Sequence, residues 1–238
     1  MRNKFLSSRV ATALLFVLAA ALIGYGGINA AAAAPRVVSE WYGAEVVLTN
    51  IHTAIVENGV VVKGDRTLLG ESFAKANPGL EWEKDEKGNY SISGFAVGVK
   101  YREELCTENV KYDEGTIPQY VRVTVYKYWT KAGTEEKLPN LDPSFIQLHF
   151  VTGGDWTIDP AASTAERTVL YYSGIVDPKD RTPIFMDSIY VSPEVATLRD
   201  KDGKLLYEGA ECHIKATVDA VQTHNSQEAM TGAWGRTN

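Results

Sequence analysis

The chain has 238 residues, of which 45% are hydrophobic and 23% charged, and its formal net charge is −6. This length suits a single domain, particularly an all-β one. An acidic chain without a cluster of lysine and arginine lacks the surface that nucleic acid and anionic membranes require, so both are set aside as partners.

The first 33 residues have the layout of a secretory signal peptide. Arg2, Lys4 and Arg9 form a basic start, the apolar run "VATALLFVLAAALIGY" follows, and "GGINAAAAA" supplies small residues for cleavage. The alternative is a membrane anchor, but the apolar run 10–23 is short for a span of roughly 20 residues. We therefore predict cleavage within 31–34, a secreted protein without membrane contact after cleavage, and one domain over 34–238.

The mature sequence consists of short strand-like runs separated by turn residues, as in an antiparallel β protein. Short β-branched runs such as "TAIVENG" and "GVVVKG" are separated by Asn and Gly, and "WEKDEKGNYSISGFAVGVKY" has the form of strand, turn and strand. Alternating runs continue through "SFIQLHFV", "ERTVLYYSGIV", "IFMDSIYV" and "CHIKATVDAVQ". Roughly nine to eleven strands at this spacing predict an all-β fold, an antiparallel two-sheet sandwich of jelly-roll type.

The most regular strand pattern lies in "GTIPQYVRVTVYKYW", residues 115–129. Val121, Val123 and Val125 share one side, which we predict to face the core between the sheets. The other side is predicted to be an outer, half-covered face. The alternative is an exposed aromatic platform, extending to Trp129, that stacks a sugar or anchors a partner. The candidate aromatic surface consists of Tyr120, Arg122, Tyr126 and Tyr128.

One to three short helices are predicted, one of them at the C-terminus in "NSQEAMTGAWG". Asn225 and Glu228 have the spacing of a capping box, and Gly235 can end the helix. Its inward residues are expected to be Ala229, Ala233 and Trp234. Further short helices are expected at "DPSF", where Pro143 suits a first turn, and at "GESFAKANPG".

Residues with catalytic spacing are not evident in the sequence. His52, His149, His213 and His224 do not form a helical zinc motif, and neither a nucleophile elbow nor a phosphate-binding loop occurs. A metal-dependent peptidase would need His149 and His213, both in predicted strands, to converge in space. "DKDGK" has the start of a calcium loop but fits a hairpin turn better. We predict no catalytic, metal or cofactor residues and no enzyme activity.

The two cysteines, Cys106 and Cys212, leave two alternatives open. In an oxidising compartment they can form a disulfide, closing a loop of about 106 residues and stabilising the fold by roughly 4–5 kcal/mol. Otherwise they are two buried free thiols.

Four loose motifs resemble the TasA/camelysin family of Gram-positive exported proteins. They are the signal peptide followed by "SEWYGAEVVL", the run "ENVKYDEGTIPQYVRVTVYKYW", the later strand "ERTVLYYSGIV" and the closing strand "CHIKATVDAVQTHN". Together they touch nearly the whole mature chain. The cysteine pair and the C-terminal "NSQEAMTGAWG" depart from the pattern of the filament-forming members.

The resemblance implies a jelly-roll sandwich that assembles as a biofilm-matrix or surface filament, with other copies or other matrix proteins as partners. Filament-forming relatives add the strand freed by signal cleavage to the next subunit's sheet, which satisfies the unpaired groups of an open edge. Here that donor strand would be 35–48, with Val37, Trp41, Ala44 and Val46 inserted. Camelysin-type members are described as metallopeptidases, but the chain lacks a zinc signature for that activity. The alternative function is a secreted adhesin or glycan-binding module.

Overall fold

The computed structural model describes residues 51–62, 66–84, 90–110, 116–134 and 136–236. These residues belong to one compact unit, Thr49–Asn238. The predicted signal peptide (1–33) and the predicted donor strand (35–48) lie outside the described residues, so they remain predictions.

The described chain is mostly β, as the sequence predicts. The strands are β1 (Thr53–Glu57), β2 (Val60–Val62), β3 (Arg66–Thr67), β4 (Glu81–Lys84), β5 (Tyr90–Ser93), β6 (Lys100–Asn109), β7 (Gln119–Lys131), β8 (Ile146–Phe150), β9 (Trp156–Ile158), β10 (Arg167–Tyr172), β11 (Met186–Val191) and β12 (Ala210–Gln222). The helices are α1 (Glu71–Ala76) and α2 (Ser226–Trp234), with 3-10 turns at Pro143–Phe145 and Pro193–Ala196.

The strands form two five-stranded sheets and a separate hairpin of β4 and β5. The first sheet has the order β2-β1-β6-β11-β8, the second has the order β3-β12-β7-β10-β9, and the pairs are antiparallel. From β6 to β9 the chain changes sheet at each connection, and it does so again from β10 through β12. One hydrophobic core is shared by residues of both sheets, among them Leu105 and Ile189 from the first and Val123 and Leu170 from the second.

The valine side of β7 faces this core, which confirms the prediction for residues 115–129. Val121, Val123 and Val125 are buried, and Trp129 continues the same side. Trp129 therefore belongs to the core and not to the outer aromatic face in which the sequence grouped it. Its indole N–H donates to the Asp142 carbonyl at 2.9 Å, so the buried ring keeps its polar atom satisfied.

A tight turn at Asn58 and Gly59 joins β1 to β2. Both residues have positive φ, 48° and 86°, as a two-residue hairpin turn that matches strand twist requires. The Asn58 side chain also donates to Glu103 at 2.7 Å and accepts from the Glu104 N–H at 3.0 Å. The turn is thereby fastened to β6, the neighbouring strand.

The helices form where the sequence predicts them, but the capping of α2 differs. Asn225 adopts a left-handed conformation, φ 52°, and its side chain makes no capping hydrogen bond. Gly235 ends the helix with φ 68°, as expected. Ala229 is buried and Ala233 is exposed, while Met230, which the pattern missed, is buried. The helix is thus rotated toward its Met230 side relative to the prediction.

Asn109, at the end of β6, is fully buried and links the segment before β7 to the segment between β10 and β11. Its amide donates to the carbonyls of Ile117 and Val176 at 2.9 and 2.8 Å, and its side-chain oxygen accepts from the Thr116 hydroxyl at 2.8 Å. Every polar atom of the side chain is used. Such a satisfied buried network fixes one arrangement of the loops around it.

Replacing Asn109 with alanine should destabilise the fold by about 2–4 kcal/mol, because the change leaves buried carbonyls without donors. Chemical denaturation would measure the loss. Thr116→Ala, which removes one bond of the same network, is the matched control and should cost about 1 kcal/mol. Equal costs for the two variants would contradict the central role of Asn109.

Candidate functional site

The outer face of the second sheet carries the predicted aromatic surface, and α2 covers one end of it. Ala229 and Met230 of the helix pack with Val221, and Tyr120 contacts the same cluster. Because α2 has nine residues, which is too short to persist alone in water, its folding depends on this contact.

Arg122 lies within the same contact. Its guanidinium is 5.5 Å from the centre of the Trp234 ring and donates to Asp219 at 2.7 Å. Burial acts to lower the pKa of Arg122, but hydrogen bonds to Asp219 and Tyr171 outweigh it and raise the pKa. The Trp234 ring meets Tyr171 edge-on at 5.5 Å, and Arg236 lies over Tyr171 at 4.1 Å. These contacts of two aromatic rings with two guanidinium groups hold the C-terminal helix against the sheet.

At the other end of the outer face of the second sheet, no described helix covers the tyrosines of β7, yet they are half-buried. Tyr128 stacks with His213 at 5.7 Å, and the Lys137 ammonium lies 5.2 Å from the Tyr128 ring centre. Tyr126 is likewise half-buried, paired across the strands with Lys215 and Arg167. The tyrosine side of β7 is therefore half-covered, as predicted, and its rings already contact protein groups.

The two cysteines lie on different faces and are free thiols. Cys212 pairs with Trp129 on the inner face of the second sheet, whereas Cys106 alternates with the inward Leu105 and lies on the outer face of the first. A disulfide needs Cβ atoms about 4 Å apart, which side chains on these two faces do not provide. Of the two alternatives that the sequence leaves open, the structure has two free thiols and not the disulfide.

His149 and His213 do not converge. His149 lies on β8 in the first sheet and is 63% exposed, whereas His213 lies on the outer face of the second sheet. His149 Nδ1 is 2.9 Å from Asp187 Oδ1, and the Ser188 hydroxyl donates to the same oxygen at 2.5 Å. Because Ser188 bonds to the carboxylate and not to the imidazole, the arrangement differs from a hydrolase triad. Among the described residues, no group of three His, Cys, Asp or Glu could hold a metal.

The carboxylate of Asp187 stays ionised in this cluster. Burial raises its pKa, but hydrogen bonds from Ser188 and His149 outweigh that effect and hold the pKa below its usual value. The "DKDGK" segment forms a hairpin turn, as predicted: the Asp200 carboxylate accepts from the N–H groups of Asp202 and Lys204 at 2.8 and 3.0 Å.

Among the described strands, β8 is an edge of the first sheet and pairs with β11 alone. The Ser192 N–H donates to the Phe145 carbonyl at 2.9 Å, which fixes the alternation of bonds along this pair. By that alternation, the backbone groups of Leu148 and Phe150 point away from β11. They have no hydrogen-bond partner among the described residues outside the sheet. Within the part of the chain that the structure describes, these groups form an open edge.

One side chain forms a hydrogen bond at the start of this edge, and no sequence pattern predicted it. The Lys127 ammonium donates to the Ile146 carbonyl at 2.6 Å. Lys127 comes from the inner side of β7, and burial lowers its pKa. It takes the hydrogen-bonding position at Ile146 that a further strand would occupy.

Among the described strands, β9 is an edge of the second sheet, and it pairs with β10 alone. Residues 151–155 join β8 directly to β9, so the two edges are neighbours. Apolar side chains line this side: Leu148 and Phe150 are half-buried against the core, and Val151 and Ile184 are 40% and 36% exposed. An added strand with an apolar face would cover them.

Comparisons with known proteins give no relative: no family model, no curated protein and no solved structure matches the chain. Among the described helices, none is both long and apolar enough to cross a membrane.

Thiol titration of the denatured protein without reductant should find two free thiols per chain. In the native protein at pH 8 Cys212 should resist alkylation, since burial raises its pKa to about 12 and leaves little thiolate. Cys106, whose pKa burial raises less, should react first. A denatured protein without free thiols would contradict the structure.

Replacing Trp234 with alanine should release α2, because the indole supplies contacts to both Arg122 and Tyr171. We expect a loss of about 1–2 kcal/mol and faster hydrogen exchange at 226–234, measured by mass spectrometry. Gln227→Ala, on the exposed side of the helix, is the control. Unchanged exchange in Trp234→Ala would show that the helix is held elsewhere.

Proposed function

We propose that this chain is a secreted structural protein, a TasA-like subunit of an extracellular matrix or surface filament that assembles by strand addition. The observation that carries the proposal is the open β8 edge, where Leu148 and Phe150 present backbone groups away from the sheet. An extended segment that pairs with these groups gains main-chain hydrogen bonds, and its apolar residues can cover the exposed side chains.

The sequence supplies a matching donor in 35–48. Val37, Trp41, Ala44 and Val46 would be its apolar residues for insertion, with a step in their alternation at Gly43, and Pro35 would keep its start extended. Its partners would be other copies of the chain or other matrix and surface proteins, reached after export by the signal peptide.

A jelly-roll arrangement is part of the proposal. It is supported by the repeated change of sheet between consecutive strands from β6 to β9 and from β10 to β12. That connectivity places strands that are distant in sequence side by side, as with β6 and β11. It leaves β8 as an edge strand of the first sheet and β9 as an edge strand of the second.

The second candidate is an adhesin or glycan-binding module on the outer face of the second sheet. Half-buried Tyr126 and Tyr128 favour it, since partly exposed rings can stack sugars. The rings' contacts with His213 and Lys137 weigh against it, because a ligand would have to displace them.

Electron microscopy of two versions of the protein tests the leading proposal. One begins at Ala34 and keeps the donor segment, and the other begins at Ile51 and lacks it. We expect filaments or higher oligomers from the first alone, because the second has an acceptor edge without a donor. Monodisperse monomers from both, across concentration and pH, would refute strand addition.

A further inference from the structure

The outer face of the first sheet contains a polar depression of about 290 Å³. It lies across two rows of cross-strand neighbours on β8, β11 and β6, which are Gln147, Tyr190 and Lys100 in one row and His149, Ser188 and Arg102 in the other. Ser188 has a short side chain and is 4% exposed, whereas the residues on either side of it are long and exposed. The middle of the second row therefore forms the floor of the depression.

A β-bulge in β11 places a carboxylate beside this depression. The register shifts between Met186 and Ser188, so that β11 has one residue more than β8 in this stretch. Met186 and Ile189 both belong to the core, and the bulge directs Asp187 to the outer face between them. There Asp187 lies 2.9 Å from His149 Nδ1 and accepts from the Ser188 hydroxyl at 2.5 Å.

The side chains around the depression include both hydrogen-bond donors and acceptors. Because Asp187 is ionised, it accepts from His149 Nδ1, and Nε2 of the neutral imidazole is then an acceptor. Lys100 can only donate, whereas the Gln147 amide and the Tyr190 hydroxyl can do both. A sugar hydroxyl also donates and accepts, so this set suits it. The half-buried Tyr190 ring adds an apolar surface for the C–H groups of a sugar.

The charges around the depression balance, which favours a neutral ligand over an ion. Lys100 lies close enough to Asp187 to help hold the pKa of that carboxylate low. Arg102 donates to Glu104 at 2.6 Å. An anion would have to compete with Asp187 and Glu104 for these cations, and a cation would be repelled by Lys100 and Arg102. A neutral polyhydroxyl compound meets neither obstacle.

We propose that this depression binds one neutral sugar ring, either a free monosaccharide or one unit of a neutral polysaccharide. Its volume is close to the lower limit of about 300 Å³ for ligand pockets, which suits a single ring. The site lies on the other sheet from Tyr126 and Tyr128, so it is distinct from the second candidate function above. It does not depend on strand addition, because a single copy carries the whole depression.

An NMR titration of the ¹⁵N-labelled protein beginning at Ala34 tests the site. The probes are methyl glucoside, methyl galactoside and N-acetylglucosamine, with glucuronate as the acidic comparison, each up to about 50 mM because single-ring ligands bind weakly. We expect saturable shifts from a neutral sugar, confined to β8, β11 and the start of β6. Stronger binding of glucuronate overturns the neutral class. Shifts centred on β7, or no saturable shift with any probe, overturn the site.

Two variants then assign the binding to individual side chains. Gln147→Ala and His149→Ala each remove one polar group from an exposed position, and each should weaken binding about three- to tenfold, the effect of one hydrogen bond. Gln227→Ala, which removes an exposed glutamine from α2, is the matched control and should bind as the unaltered protein does. Circular dichroism would establish that all three fold. Unchanged affinity in the folded Gln147 and His149 variants overturns the site.

Asp187 acts through His149 as a positioning residue, and Asp187→Asn tests that role. Asparagine keeps the shape of the side chain but removes the charge that holds the proton on Nδ1. The ¹⁵N signals of the His149 ring should show a larger share of the Nε2–H tautomer, and sugar affinity should fall about as far as in His149→Ala. An unchanged tautomer together with unchanged affinity overturns the role of Asp187.

A six-unit oligosaccharide of the sugar that binds distinguishes the two sources of the ligand. Tighter binding of the oligosaccharide than of the single sugar, with shifts that extend along the outer face, assigns a polysaccharide. Equal affinity per molecule assigns a free monosaccharide. Either result supports the depression as the site, whereas an oligosaccharide whose shifts lie outside the first sheet overturns it.

Discussion

The pairing of β7 with β12 is the constraint on which the rest of the molecule depends. Thirteen residues of each strand pair without a shift in register, from Gln119 beside Gln222 to Lys131 beside Ala210. Because side chains alternate along a strand, this one register decides which residues face the core and which face outward. It directs the valines of β7 inward and builds the outer face on which α2 folds.

Much of this framework could be predicted from the sequence, since it depends on local patterns. The alternation of Val121, Val123 and Val125, the turn at Asn58 and Gly59, and the glycine that ends α2 are each specified by a few adjacent residues. The predicted capping of α2 was wrong because Asn225 adopts a left-handed conformation after β12, in which its side chain makes no capping hydrogen bond. That geometry comes from the strand before it.

The candidate site depends on contacts between residues far apart in the chain, which periodicity does not reveal. Lys127 bonds to the carbonyl of a residue 19 positions later, in the other sheet. The separation of Cys106 and Cys212 likewise follows from which face each strand presents. The donor segment 35–48 was a prediction from the family resemblance, whereas the β8 edge became visible only once the order of the described strands showed which of them lies at an edge.

The position of β1 and β8 in one sheet has a mechanical consequence. In a row of copies joined through 35–48 and β8, a pulling force would enter each subunit at β1 and leave it at β8. It would cross β6 and β11 on the way, and the second sheet with its helix would carry almost none of the load. Tensile strength would then reside in the hydrogen bonds of β1, β6, β11 and β8, and changes on the aromatic face would leave it unaltered.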